Sequence, residues 1–365
     1  MKRFGYVATV GLLWISYAVG AQEPIAPATA AIQTRPAAAE SNQTRQIRLD
    51  VVVTDRSGRG VAGLKAEDFT VLDNKQPAKI LAFRVHNNAD VPAGQVDAST
   101  EVIVVLDEVN APFNRVTYAR EGIESFLREN GGNLVHPVAL AFFSENGLQV
   151  QTKPAVDGNA IADALRAQGQ SFRMLDRGTG FYGAEERLKK SMDALDSLIV
   201  QERGKPGRKM VIWVSPGWPL LSGLRDSLSE QQQQRVFGSV VGLTTALEQA
   251  RMTLYSVDSL GAEGVGTNRT SFYQNFTKGL TKPGDAQTGD LGLQVLAEQT
   301  GGRAIFGNDA IASSLDHCVG DLDVFYTLVI GAAPTEKAND FHGVEVKVGT
   351  AGVKVRTRDG YYAQP

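Results

Sequence analysis

Residues 102–113 read VIVVLDEVNAPF, and the fold turns on how that stretch is understood. An unbroken run of branched apolar residues with no polar alternation describes a strand covered on both faces, the kind found inside a parallel sheet. It stops on Asp107 and gives way to a polar turn with a proline, which suits the launch of a helix. A carboxylate there has three readings: metal ligand, catalytic base, or acceptor for the backbone N–H groups of the turn.

Working outward, strands and helices alternate from residue 101. Strands are predicted at 101–107, 136–144, 148–153, 209–215, 252–258 and 303–306, and helices near 115–130, 158–167, 183–202, 229–251, 290–300 and 308–318. In ALAFFSENGLQVQT the Asn146-Gly147 pair marks a hairpin and therefore one antiparallel strand. The other connections contain helices, the sign of right-handed βαβ crossovers. The two ends of the chain differ. IRLDVVVTD and FTVLDNKQPAKILAFRV, the latter read as two strands across an Asp73-Asn74 turn, precede the α/β middle. DVFYTLVIGAA, FHGVEVKVG and GVKVRTRDGYYA follow it. The fold class expected is a doubly wound, mainly parallel α/β sheet with one antiparallel edge strand, flanked by a small β-sandwich-like unit made from the N- and C-terminal segments. The boundaries expected are 45–95 for the N-terminal β segment, 98–320 for the α/β domain and 321–365 for the C-terminal β segment that pairs with the first.

Lys2 and Arg3, a short apolar stretch and Ala21 before Gln22 have the pattern of a cleaved secretory signal over 1–21. Residues 22–44, rich in Ala and Pro with no period, read as a disordered linker. The expected location is therefore secreted or periplasmic, with no stable membrane insertion after cleavage. A formal charge of −3 gives no electrostatic reason to bind nucleic acid. The single cysteine, Cys318, excludes an intramolecular disulfide.

Six separated segments together carry a resemblance: DVVVTDRSGRGVAGLKAEDFTVLDN, VIVVLDEVNAPF, GRKMVIWVSPGW, LYSVDSLG, LAEQTGGRAIFGND and VKVRTRDGYYA. The chain resembles secreted von Willebrand factor A-related domain proteins of the acidobacterial type from about residue 47 to 363. The resemblance implies a von Willebrand A-type sheet, whose better-known members bind protein ligands through a metal-ion-dependent adhesion site. That site uses Asp-x-Ser-x-Ser after the first strand, a Thr from a later loop and an Asp from a Thr-Asp-Gly motif. Asp107 matches the first Asp, but Val109 and Ala111 replace the serines and Ser215-Pro216-Gly217 replaces the last motif. Thr179 in RGTG matches the loop threonine, and Glu108 and Asn110 are the only substitute donors. Magnesium needs six oxygens in a strict octahedron. A tight divalent metal site, and any other cofactor, is therefore not expected; Asp107 and Thr179 are the weak candidates.

No complete catalytic set appears. GTGFYG at 178–183 has dinucleotide-type spacing, but the preceding QSFRMLDR is too polar for the buried strand that motif requires. His86, His136, His317 and His342 have no ligand spacing. Residues 259–289 look poor in secondary structure, and Phe272, Tyr273 and Phe276 within them fit either packing or protein-binding anchors. The expectation is a non-enzymatic protein-binding module of adhesion type with a degenerate metal site. Its ligand, a protein of unknown identity, would meet the C-terminal strand ends at Asp107, Glu108, Asn110, Thr179, Tyr182, Trp218, Asp258, Tyr273 and Phe276. The alternatives are a hydrolase or cofactor-dependent enzyme using the same face, with Asp107 or Asp258 as base, or a structural envelope component.

Overall fold

A computed structural model describes residues 45–90, 100–150, 153–168, 181–219, 228–261, 269–308 and 310–365, with the side chains at 181–182 and 269–271 outside that description. The chain begins with β1 (Gln46–Thr54), β2 (Phe69–Asp73), β3 (Gln76–Ala78) and β4 (Ile80–Asn87). The middle runs β5 (Thr100–Asp107), α1 (Phe113–Arg128), β6 (Asn133–Ser144), β7 (Gly147–Val150), β8 (Ala155–Asp157), α2 (Gly158–Ala167), α3 (Phe181–Glu202), β9 (Arg208–Val214), α4 (Glu230–Gln249) and β10 (Met252–Val257). Then come α5 (Arg269–Gln274), α6 (Leu293–Gln299), β11 (Ala304–Ile305), α7 (Ile311–Val319), β12 (Val324–Gly331), β13 (Asp340–Val348), β14 (Lys354–Arg356) and β15 (Gly360–Ala363).

The opening stretch is the central strand of the large sheet. β5 pairs in parallel with β6 on one side and with β9 on the other, and the order across the sheet is β11-β10-β9-β5-β6-β7. Its apolar run is continuous because both faces are covered. Val102, Val104 and Leu106 join the core under α1, α2 and α7, whereas Ile103 and Val105 join the core under α3, α4 and α6. β7 returns antiparallel from β6 across the Asn146-Gly147 turn, where Gly147 takes φ +94°. The doubly wound sheet with one hairpin edge is therefore present. β8, a short strand antiparallel to β6, is an addition to the sequence reading.

Local chemistry sets the helix starts. Ser229 and Gln232 form a reciprocal capping box at α4, and the Asp157 carboxylate accepts from the Ala160 N–H at α2.

Two antiparallel sheets, β14-β1-β12-β4 and β15-β13-β2-β3, enclose a separate core containing Ile47, Leu49, Val51, Phe69, Tyr326 and Leu328. Both neighbours of β1 come from the far end of the chain. The stretch 69–85 differs from its reading. Asn74 and Lys75 at φ +46° and +67° close a tight β2–β3 hairpin, and β4 then crosses into the other sheet as a third strand. The outer face of β1 and β12 sends Val52 and Phe325 into the α/β core, and Asp50 meets Arg208 at the start of β9. The sandwich thus sits against the N-terminal ends of the parallel strands and leaves their C-terminal ends uncovered by it.

Candidate functional site

The strand order reverses between β5 and β9, so the crevice between the turns that follow them is where doubly wound sheets place ligands. Asp107 ends β5 at the centre of this crevice and is fully buried. Oδ1 accepts from the Val109 and Asn110 backbone N–H groups at 2.9 and 2.8 Å. Oδ2 accepts from Asn110 Nδ2 at 2.9 Å, Trp213 Nε1 at 3.0 Å and Ser215 Oγ at 2.8 Å. Burial pushes the carboxyl pKa up, and the hydrogen bonds from Asn110, Trp213 and Ser215 oppose that rise. Ser215 Oγ in turn accepts from the Gly217 N–H at 3.1 Å, where φ is +97°. The carboxylate therefore ties the β5 turn to the β9 turn.

The described residues offer a divalent ion few free oxygens: both Asp107 oxygens are engaged, and Asn110 Oδ1 is buried with no hydrogen-bond partner. Five donors already use both Asp107 oxygens, and four of them are N–H groups that a cation would have to displace, with Ser215 Oγ the one oxygen among the five. Val109 and Ala111, at the serine positions, are buried in the two apolar cores on opposite faces of the sheet. Glu108 faces Arg120 at 3.9 Å, and its pKa is raised by burial against the pull of that guanidinium. Asn110 gives its amide N–H groups to Asp107 and to Ser191 Oγ, 2.9 Å away. Thr179 lies outside the described residues, as does the Tyr182 side chain; the Tyr182 backbone is in the first turn of α3. No cluster of three or more His, Cys, Asp or Glu side chains suited to a metal occurs among the described residues.

Several residues expected on an exposed face lie beneath it. Asp258 is buried, with Oδ1 accepting from the Leu260 N–H at 2.9 Å. Trp218, 2% exposed, stands edge-on to Trp213 with ring centroids 5.5 Å apart. Tyr273 and Phe276, 3% and 8% exposed, build a small core with Val295. The 259–289 stretch is less bare than expected: α5 lies within it, and a 3₁₀ turn over Pro283–Asp285 packs on α4. Tyr273 and Phe276 are buried because the described part of the segment folds back on α6, with the Gln299 amide donating to Phe276 O at 3.2 Å.

Two residues that sequence reasoning missed complete the picture. Trp213 is the larger, and its signal was available: a tryptophan inside an otherwise apolar strand must find an acceptor for its indole N–H. Phe113 is the other. It closes the opening stretch, begins α1 on the rim and is 48% exposed.

Two cavities lie away from the crevice. One of about 720 Å³ lies by α6, β11 and α7, lined by Arg303, Phe306 and His317 among others. One of about 380 Å³ lies beside Phe272, Phe276 and Asp290.

No family model matches the chain, and no curated protein matches it. Solved structures that match the chain include the manganese-loaded TRAP protein of Plasmodium vivax, at 9% identity and TM-score 0.32, covering 77% of this chain and 98% of that one. The pilus adhesin SpaC of Lactobacillus rhamnosus GG matches at 11% identity and TM-score 0.32, covering 80% of this chain and 48% of that one. This chain thus spans about half of SpaC. The SpRpn10 VWA domain matches at 10% identity and TM-score 0.27, covering 60% of this chain and 93% of that one. The strand order and the hairpin edge carry the fold assignment by themselves.

Proposed function

We propose that this chain is a non-enzymatic, metal-independent protein-binding module of adhesion type that meets its ligand at the C-terminal rim of the parallel sheet. The sealing of Asp107 supports this most directly. An enzyme needs convergent polar groups open to a pocket, and here the ionisable group at the switch point is spent on five internal hydrogen bonds. The sandwich occupies the opposite edge of the sheet, so the rim is the side left to a partner. Phe113 replaces Trp218, Tyr273 and Phe276 as the aromatic anchor, because it is the one with area to offer. The signal-like pattern of residues 1–21 supports placing the protein outside the cytoplasm, and among the described residues no helix is long and apolar enough to cross a membrane.

The test places a photo-crosslinking residue at position 113, or at Leu81 on β4, in the full-length protein exposed to its native surroundings. Discrete adducts from 113 that disappear when unlabelled protein competes, with none from 81, are expected. Adducts confined to 81 would move the binding surface to the sandwich. Phe113→Ala should weaken capture about tenfold or more with the melting temperature unchanged.

A further inference from the structure

At the opposite end of the sheet, where the sandwich meets the α/β unit, positive charge accumulates without matching negative charge. Arg208 begins β9, Arg251 precedes β10 and Arg358 precedes β15; Arg45, Arg48 and Arg84 approach from the sandwich strands. The nearby acids are Asp50, Glu248 and Asp359, and burial pushes the Asp359 carboxyl up to about 7. Six guanidinium groups therefore face three carboxyls, one of them only partly ionised at neutral pH.

The acids present are also incompletely engaged with the buried arginines. Asp50 Oδ1 is taken by the Thr327 hydroxyl at 2.7 Å, and its Oδ2 stands 3.4 Å from Arg208 Nε without hydrogen-bond geometry. Glu248 Oε2 accepts from Arg45 Nη2 at 2.8 Å and is 3.5 Å from Arg358 Nη1. In consequence Arg208 Nε and Nη1, Arg251 Nε and Arg358 Nη1 are buried donors with no hydrogen-bond partner. Arg208 and Arg358 are 2% and 7% exposed. Burial lowers the pKa of Arg251 and Arg358, the direction expected where charge lacks solvent. A cavity of about 30 Å³ opens among Arg48, Asp50, Glu248, Arg251 and Arg358. Such a space holds a body about the size of one water. Water would meet the hydrogen bonds and leave the charge uncompensated, which is costly away from bulk solvent.

We propose that this junction binds one small inorganic anion, a halide, through the guanidinium groups of Arg48, Arg251 and Arg358, which line the cavity. The anion supplies the missing negative charge and links β1 of the sandwich to the residue before β10 and the segment before β15. The cavity is too small for a nucleotide or a polyanion. Guanidinium forks suit such a ligand because their donors are fixed and permanently charged.

The full-length protein is titrated with chloride, sulfate or phosphate at constant ionic strength made up with sodium gluconate, which the cavity excludes by size, following heat release and thermal unfolding. Chloride should give a saturable rise in melting temperature at millimolar concentration, and sulfate and phosphate, too large for the cavity, should not. Saturation by sulfate or phosphate with a linear response to chloride would overturn the halide assignment. Arg251→Gln, at a half-buried position, should weaken the affinity about tenfold, the scale of one charge-assisted hydrogen bond. Asp50→Asn should tighten it, since it removes a competing negative charge; a merely structural Asp50 would leave it unchanged. A response that stays linear in all three anions, or a saturation curve identical in wild type and both variants, would overturn the proposal.

Discussion

At the residue scale Asp107 is a knot in the chain. Replacing it with Ala leaves the Trp213 and Asn110 N–H groups and the Ser215 hydroxyl without their acceptor in a buried setting. Each orphaned donor costs about 1–3 kcal/mol. Asp107→Ala should therefore lower unfolding free energy by about 3 kcal/mol or more in denaturant titration, while millimolar magnesium or manganese leaves the wild-type melting temperature where it was. Bound metal would raise stability by about 2.7 kcal/mol at a hundredfold excess over Kd, a shift that is easily seen. A second carboxyl behaves in the opposite sense. Burial pushes Asp290 from 3.8 to about 6, so the folded state holds its proton more tightly than the unfolded chain does. Stability from that group is complete below the unfolded value and falls as pH rises through the window from 3.8 to about 6. Asp290→Asn keeps an acceptor for the Gln287 N–H, at 2.7 Å in the wild type, and should stabilise by about 1 kcal/mol at pH 8, with the gain vanishing near pH 4. The turn-capping part of the Asp107 site was legible in the sequence because it is local: the residue precedes the N–H groups it accepts from. The Trp213 and Ser215 contacts were not, since they depend on which strand lies beside β5, and composition does not say that.

At the element scale, long periodic segments were legible and short compact ones were not. β5 and α2 were readable because one has unbroken branched residues and the other has an Asp cap with apolar residues at helical spacing. α5 escaped notice because it is a six-residue helix set between glycines and a proline. With it went the meaning of Tyr273 and Phe276, whose aromatic character fits an anchor and a core equally until the segment's path over α6 is known. Helix packing offers a sharper test. A Cβ on Gly122 of α1 would lie 2.4 Å from Ile311 Cβ at the start of α7, closer than carbon atoms pack. Gly122→Ala gains about 1 kcal/mol of helix propensity and should nonetheless destabilise, because overpacking costs about 1–3 kcal/mol. Ile311→Gly, which removes the clashing Cβ, should by itself also destabilise, by about 2–5 kcal/mol. The double variant should recover part of the sum, giving a favourable coupling energy in a double-mutant cycle; simple additivity would mean that the two helices separate at that crossing without cost.

At the scale of the whole molecule the two ends of the chain are one structural element divided by the α/β middle. β1 has β12 on one side and β14 on the other, and β2 has β13. The alternating sequences of both ends showed that each was half of an antiparallel unit, but not which strand adjoins which, because pairing partners lie more than two hundred residues apart. The sandwich is also tied into the middle: Val52 and Phe325 enter the core beneath α1 and α7, and Tyr362 enters the core beside α4, its hydroxyl donating to Leu280 O at 3.0 Å. Residues 45–95 expressed alone lose every neighbour of β1 and retain only the β2–β3 hairpin, and an isolated two-stranded hairpin is marginal in water. That fragment should show no cooperative transition in circular dichroism on heating. The full-length chain, by contrast, should unfold in one transition whether followed at Trp213 and Trp218 in the α/β core or by hydrogen exchange of β1 and β12 amides, since Phe325 and Tyr362 couple the two cores. Separate midpoints for the tryptophans and the sandwich amides, or a cooperatively folded 45–95 fragment, would show that the sandwich stands without the strands from the far end.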